Sequence, residues 1–281
     1  MLTALAALAL VQAATPIDIS ARARSLRPGE VVVLTIAGPA VSDAVRGRAF
    51  GRDVIAYQDG DAWRAIVGVD LDVKPGTYRI SVESGAAGNA ARGTHDLQII
   101  PRTFRTRRLT VDEALVTPPA SEQSRIEQET ALLAATWRSS ATSRLWNTPF
   151  IRPVPQVTNS AFGTRSIFNG KPRTRHGGAD FLSPAGTPIG APNAGRIVVA
   201  RSLYFSGNTV IIDHGLGLFS MLAHLSVIDV REGALVTPGQ LVGLVGATGR
   251  VTGPHLHWAV RVGEARVDPL SLLAVLGQGA P

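Results

Sequence analysis

Near its C-terminal end the chain reads TGPHLHWAV, Thr252 to Val260, with His255 and His257 two residues apart. In an extended strand such a pair projects from one face, with about 6–7 Å between the two positions. Histidine is scarce: there are six in 281 residues, and five of them follow residue 149. HGGAD places His176 and Asp180 four apart, and Gly177 and Gly178 between them permit a bent backbone, so imidazole and carboxylate could converge. LAHLS adds His224 on another candidate strand. With no cysteine in the sequence, neither a disulfide nor a thiolate ligand is available. Imidazole plus carboxylate suits zinc, and a catalytic zinc commonly takes three protein ligands and leaves one position for water. A sheet that gathered these strands would bring together four histidines and a carboxylate. One of His255 and His257 could then hold metal while the other reaches water or substrate, and spacing alone does not choose between them. The remaining two histidines read as structural: His95 among the N-terminal strands, and His214 at a strand end, before a glycine turn.

The elements that must position these residues are mainly β. From Ile17 to Pro101, short alternating runs such as VVVLTIAG, DVIAYQ, AWRAIVGVD and KPGTYRISVES are separated by Pro-Gly and Asp-Gly turns. Six or seven such strands predict an immunoglobulin-like β-sandwich over residues 15–101. Residues 102–148 read as a linker with a helix. Its Arg-rich start, Arg102, Arg105, Arg107 and Arg108, is expected to be solvated. The helix is expected from Ser121 to about Trp146, with Ser124 and Glu127 as a capping box and Ile126, Leu133 and Trp137 along one face. From Pro149 onward the pattern returns to strands, with RIVVARS, NTVIIDH, LFSMLAHL, QLVGLVG and LHWAVRV as candidates in a second unit, 149–275.

Composition narrows the function classes. Hydrophobic content of 45% with 17% charged residues fits a folded chain rather than a disordered one. The net charge of +7 is carried almost wholly by arginine, with lysine only at Lys74 and Lys171. Residues 150–281 hold 11 basic against 6 acidic residues, so the half with the histidines is the more basic. No recognition-helix pattern, RNP-type aromatic motif or Walker-type loop accompanies that charge, so no nucleic-acid partner is expected. An anionic polymer such as a cell wall fits it better. The opening MLTALAALALVQAATP reads as a signal peptide, residues 1–14, although no Lys or Arg precedes its apolar run. That run falls short of the ~20 residues that span a bilayer. The expectation is an exported protein, periplasmic or cell-wall associated, with no transmembrane helix after signal removal.

Taken in order, SAFGTR, HGGADFLSPAGTPIGAPNAGRIV, GNTVIIDHGLGLFSMLAHLS and GALVTPGQLVGLVGATGRVTGPHLHW resemble the lysostaphin/LytM-type zinc metallopeptidases, a family of peptidoglycan endopeptidases. The resemblance runs from about Pro149 to Leu273. It implies an antiparallel β LytM-type (duplicated hybrid motif-like) catalytic domain with one Zn²⁺ in a groove. By the same resemblance His176, Asp180 and His257 would be the metal ligands, and His224 and His255 catalytic. The implied reaction is hydrolysis of peptide cross-links in peptidoglycan by a metal-activated water, with stem peptides as substrate and a D-alanine to diaminopimelate cross-link expected over glycine bridges. The chain has no H-E-x-x-H motif, so the base must come from elsewhere, with His255 suited to take a proton. Arg165, Lys171, Arg173 and Arg175 around the first motif would attract stem-peptide carboxylates. The chain departs from the family at Leu222, where members often carry tyrosine, which would remove an aromatic wall of the groove. A catalytically silent relative that binds peptidoglycan or activates a cell-wall amidase is the alternative, although all five polar positions are kept.

Overall fold

Alternating apolar residues and glycine turns divide the N-terminal part into strands from Asp18 onward. The computed structural model describes residues 17–278, apart from 40, 42–43, 86–89, 111–112, 114–115 and 159–161, so the expected signal peptide lies outside the described residues. Seven strands come first: β1 (Asp18–Ala23), β2 (Val31–Ala37), β3 (Val45–Ala49), β4 (Arg52–Asp59), β5 (Ala62–Gly68), β6 (Gly76–Ser84) and β7 (Ala91–Ile99). They pair antiparallel in the order β1-β2-β5-β4-β3-β6-β7. β4 serves two partners, pairing through residues 56–59 with β5 and through residues 52–55 with β3. The sheet turns over at this strand, so Val32, Leu34 and Ile36 share one core with Ile80, Val82, Leu97 and Ile99. The two halves, β1-β2-β5-β4 and β3-β6-β7, have the strand order of a constant-type immunoglobulin sandwich. β2 is buried on both faces from Val31 to Leu34, in keeping with the continuous apolar run VVVL. Val31 and Val33 point the other way, into a second core with Trp146, Phe150, Val267 and Leu272.

Within the connector Arg102 is built into the molecule, whereas Arg105, Arg107 and Arg108 are exposed as expected. β8 (Thr106–Leu109) pairs in parallel with β9 (Arg165–Phe168), which pairs with β10 (Lys171–Pro172). Arg102 and Arg24 both bridge Glu30 and Asp268, whose side chains are only 2% and 1% exposed. Two carboxylates this deeply buried must be compensated, and the two guanidinium groups do so. Arg107 Nε donates to Ser166 Oγ at 3.0 Å. The helix that follows, α1 (Gln123–Arg138), is shorter than its pattern suggests. A 3₁₀ turn after Pro119 leads into it with Glu122 at the cap, so the Ser124–Glu127 capping box does not form and Ser124 Oγ instead accepts from Gln128. Beyond Arg138, Asp213 accepts from Ser140 Oγ and from the Ala141 backbone N–H, drawing the chain off the helical path. Trp137 and Leu133 pack the helix onto Val199, Ile211 and Phe219, whereas Ile126 is half-buried outside that cluster.

The remaining strands are β11 (Gly178–Phe181), β12 (Pro188–Gly190), β13 (Gly195–Leu203), β14 (Gly207–Gly215), β15 (Leu218–Ile228), β16 (Leu235–Val236), β17 (Leu241–Val245), β18 (Leu256–Val262) and β19 (Ala265–Val267). They form a nine-stranded antiparallel sheet ordered β11-β18-β15-β14-β13-β16, with β17 joining β12 and β15, and β19 beside β18. The five apolar runs expected as strands lie in β13, β14, β15, β17 and β18. The last element, α2 (Pro269–Leu276), starts with proline and is capped by Asp268, which accepts from the Leu270 N–H. Ser271 Oγ accepts from the Val31 N–H at 2.9 Å and donates to Glu30 at 2.7 Å, tying this helix to β2. No helix among the described residues is long and apolar enough to cross a membrane.

Candidate metal centre

Three adjacent strands, β11, β18 and β15, carry most of the site. Their register sets Asp180 opposite His257, and His257 opposite Ala223. The next residue, His224, sits at a register shift where β15 places Ala223 and His224 against a single residue of β14, Thr209. Its φ of 68° is left-handed, uncommon for a residue with a side chain and typical of bulges that re-aim one beside a functional site. The bulge is fixed twice: the His224 backbone N–H donates to Ser206 O at 2.9 Å, and Nδ1 donates to Thr248 O at 2.9 Å. The imidazole then lies 4.9 Å from the ring of His255 and 5.9 Å from that of His257.

His176 precedes β11 on a segment without regular structure, and its side chain meets those of Asp180 and His257. Asp180 Oδ1 is 3.0 Å from His176 Nε2 and 2.9 Å from His257 Nδ1, and the two nitrogens are 3.0 Å apart. These three side chains are the one group among the described residues able to hold a metal ion. Protons alone satisfy the arrangement poorly. If both rings donate to Asp180, two N–H groups face each other at 3.0 Å. A cation at the centre would instead use a lone pair from each of the three atoms. Tetrahedral zinc with bonds near 2.0–2.1 Å places its ligand atoms roughly 3.3–3.4 Å apart. An opening of about 0.4 Å would therefore seat the ion, and two imidazoles with one carboxylate are a donor set zinc accepts. Thr158 Oγ1 donates to the Asp180 carbonyl at 2.7 Å and braces that strand.

Gly178 has a different role from the one the sequence suggests. Neither Gly177 nor Gly178 occupies the left-handed region, so conformational freedom is not what the motif needs here. The His257 ring lies where a side chain at Gly178 would stand, with Cε1 2.7 Å and Nε2 2.8 Å from the position of a Cβ. The glycine is a seat for the His257 imidazole.

Charge in the site follows from burial and pairing. Burial alone would raise the pKa of Asp180, but hydrogen bonds and charge from His176 and His257 outweigh it and hold the carboxyl far below its usual range. Burial drives His224 down to about 3, helped by the charge of His257 and opposed by its bond to Thr248. His257 is also lowered, by burial first and against its bond to Asp180. His224 is therefore neutral near pH 7, with its proton on Nδ1 and a lone pair on Nε2. His255 is held alike: Nδ1 donates to Gly253 O at 2.9 Å, and Nε2 lies 3.9 Å from Asp180 Oδ1.

All five expected site residues thus meet in one place, and the other two histidines stand apart. His95 lies in β7, opposite Ile80. His214 is at the end of β14, before the glycine turn as expected, and is fully buried, with Nδ1 2.7 Å from Ala194 O, Nε2 2.9 Å from Ser220 Oγ and its ring edge-on to Phe150. Leu222 faces the core beside Trp258 and is fully buried, so the departure from tyrosine there alters packing rather than a groove wall. Of the basic residues expected to attract substrate, Lys171 pairs with Glu113 and Arg175 with Asp72, while Arg173 donates to the Val116 carbonyl. Arg165 is exposed.

Comparison with known proteins agrees with this geometry. The model of the family described as Peptidase family M23 matches residues 174–269. Peptidoglycan DD-endopeptidase ShyB of Vibrio cholerae is 41% identical over 95 residues, 34% of this chain and 22% of that protein. Peptidoglycan DD-endopeptidase ShyA of the same organism is 40% identical over 106 residues, 38% of this chain and 25% of that protein. The match thus spans about a quarter of the length of these curated relatives. A crystallised chain from Pseudomonas aeruginosa assigned to peptidase M23 is similar throughout. It covers 92% of this chain and 97% of its own length, at 33% identity and a TM-score of 0.71.

Proposed function

The chain belongs to peptidase family M23, and on that footing we propose that it is a zinc-dependent endopeptidase that hydrolyses peptide cross-links of bacterial peptidoglycan. The observation that carries this reading is the convergence of His176 Nε2, Asp180 Oδ1 and His257 Nδ1 within 3.0 Å of one another, with the rings of His224 and His255 beside them. His176, Asp180 and His257 would hold one Zn²⁺. When bound, the ion supplies a Lewis acid that makes water more acidic and polarises a carbonyl.

The chain's own groups handle the protons. His255 presents its Nε2 on the same side as Asp180 Oδ1, with its Nδ1 engaged by Gly253 O. It takes the proton of the attacking water and then, as imidazolium, delivers it to the leaving amine. His224, neutral and tied at Nδ1 to Thr248 O, offers Nε2 as an acceptor that orients the water. The left-handed bulge at His224 supplies that orientation. Such a substrate places the work outside the cytoplasm, in keeping with the apolar N-terminal segment.

The test is metal content together with turnover of cross-linked muropeptides before and after chelation. About one zinc per chain with chelator-sensitive cleavage is expected. His257→Ala should lose metal, whereas His255→Ala should keep metal and lose rate. A folded protein that binds no zinc, or that binds peptidoglycan without cutting it, would overturn the reading in favour of a silent relative.

A further inference from the structure

His224 is held from two sides. Its backbone N–H donates to Ser206 O, in the turn between β13 and β14, and its Nδ1 donates to Thr248 O, in the loop between β17 and β18. A carbonyl can only accept, so the ring proton stays on Nδ1 and Nε2 is the nitrogen left for water or substrate. The side chain of the same threonine fixes that carbonyl in place. Thr248 Oγ1 accepts from the Asn208 N–H at 2.9 Å and donates to Leu225 O at 2.7 Å.

Those two partners face each other across the sheet. Asn208 of β14 is opposite Leu225 of β15, beside the register shift at which His224 takes its left-handed turn. The threonine hydroxyl stands between the N–H and the carbonyl and relays the bond from one to the other. It fills the ladder where the bulge disrupts it, so both backbone groups stay satisfied without the strands closing up. The two loops also meet backbone to backbone. A side chain at Gly207 would collide with Thr248, and one at Gly249 would collide with the backbone of Gly207 and Phe205. The Arg250 N–H fastens them once more, donating to Phe205 O at 2.9 Å. A valine in place of Thr248 would keep the size of the side chain but strand the Asn208 N–H and the Leu225 carbonyl, and the bulge would have to rearrange to satisfy them.

We propose that Thr248 is a positioning residue for the hydrolysis: its hydroxyl holds the bulge open, and so sets both the backbone turn of His224 and the carbonyl that orients the His224 imidazole. This rests on the peptidase reading above and adds to it a residue that acts through His224 rather than through the metal ligands.

The experiment compares Thr248→Val and Thr248→Ser with the wild type, as zinc-loaded full chains cutting a cross-linked muropeptide. Thr248→Val should lose at least about tenfold in kcat, the scale of a misplaced catalytic group, with KM within about twofold and zinc content unchanged. Thr248→Ser, which keeps the hydroxyl, should keep most of the rate. A second readout needs no turnover. NMR of the ring nitrogens in the metal-free chains should show His224 protonated at Nδ1 in the wild type and in Thr248→Ser, and a mixture with the Nε2-protonated form in Thr248→Val. Unchanged kcat or an unchanged tautomer in Thr248→Val, or an equal loss of rate in both variants, would overturn the inference and leave the peptidase reading standing. So would a Thr248→Val chain that no longer folds by circular dichroism or no longer binds zinc, since the hydroxyl would then support the whole domain rather than His224. A zinc-loaded wild type that cuts nothing would overturn both.

Discussion

Replacing Gly178 by alanine should strip the centre of its metal while leaving the sheet folded. A Cβ at this position would stand 2.5 Å from the Trp258 carbonyl oxygen, 2.7 Å from His257 Cε1 and 2.8 Å from His257 Nε2. Carbon atoms pack comfortably at roughly 3.5 Å or more, so the ring or the strand must retreat by about 0.7 Å. The Trp258 oxygen belongs to the backbone of β18, which pairs with β11 from Gly178 to Phe181, and it gives way only if that pairing opens. Relieving that contact parts β11 from β18 locally, and the clash with the ring displaces His257 as well, whose Nδ1 would have to reach the ion. Metal sites accept deviations of only about 0.2 Å in ligand distance. The expected result is a fall in zinc affinity of at least roughly tenfold to a hundredfold, the range seen when the supports of a ligand are removed. Overpacking adds a loss of stability of about 1–3 kcal/mol. Gly177→Ala is the matched control, because the nearest atom to a Cβ there is Arg266 Cδ at 3.9 Å. Zinc affinity measured by competition with a chromophoric chelator, with circular dichroism as the fold check, separates the two variants. Wild-type affinity in Gly178→Ala, or an equal loss in Gly177→Ala, would refute the reasoning.

Three further outcomes follow from buried groups elsewhere. His214 is held neutral by burial, its pKa lowered to about 4 despite its bond to Ala194 O and the nearby charge of Asp213. The unfolded chain takes up a proton below about 6.5 that the folded chain refuses. Stability should therefore fall as pH drops through that window, by about 3 kcal/mol in total at 1.36 kcal/mol per pH unit; urea titrations of the metal-free protein should show a flatter pH dependence in His214→Gln. Glu30→Ala leaves Arg24 and Arg102 without one of their two buried partners and should cost about 3–5 kcal/mol by urea unfolding, with Glu30→Gln less severe. Trp137→Ala removes the ring that meets Phe219 edge-on at 5.4 Å and should cost about 3–5 kcal/mol in the same assay.

Several of the strands around the candidate metal centre were legible because they are apolar runs bounded by glycine, and because β14 buries nearly every position. The five polar residues were legible as types and spacings. What they do with their atoms was not. Nothing local marks the bulge that turns His224, since the register shift depends on how Thr209 of β14 meets it. The role of Gly178 depends on His257, which approaches only once β11 and β18 pair. β8 escaped notice because Thr-Arg-Arg-Leu carries no apolar alternation, and its partner β9 lies beyond α1. The last third of the expected helix was lost to Asp213, a carboxylate far along the chain that captures Ser140 and Ala141.

The connector also changes how the metal centre is supported. Asp180 and His257 stand inside paired strands, but His176 lies on residues 173–177, which belong to none. Its backbone is held by Gly163 and Thr164: Gly163 N–H donates to His176 O at 2.7 Å, and His176 N–H donates to Thr164 O at 3.0 Å. Gly163 in turn is covered by Phe104 of the connector, whose ring occupies the space a side chain there would need. Arg175 lies 5.0 Å over that same ring and pairs with Asp72 of the N-terminal sheet region. One of the three converging side chains is therefore positioned through the connector and the N-terminal strands, and two through the sheet. The buried cluster of Arg24, Glu30, Arg102 and Asp268 fastens those two supports together. On this geometry the N-terminal half is a brace for His176, and its attachment bears on how tightly the centre can close around an ion.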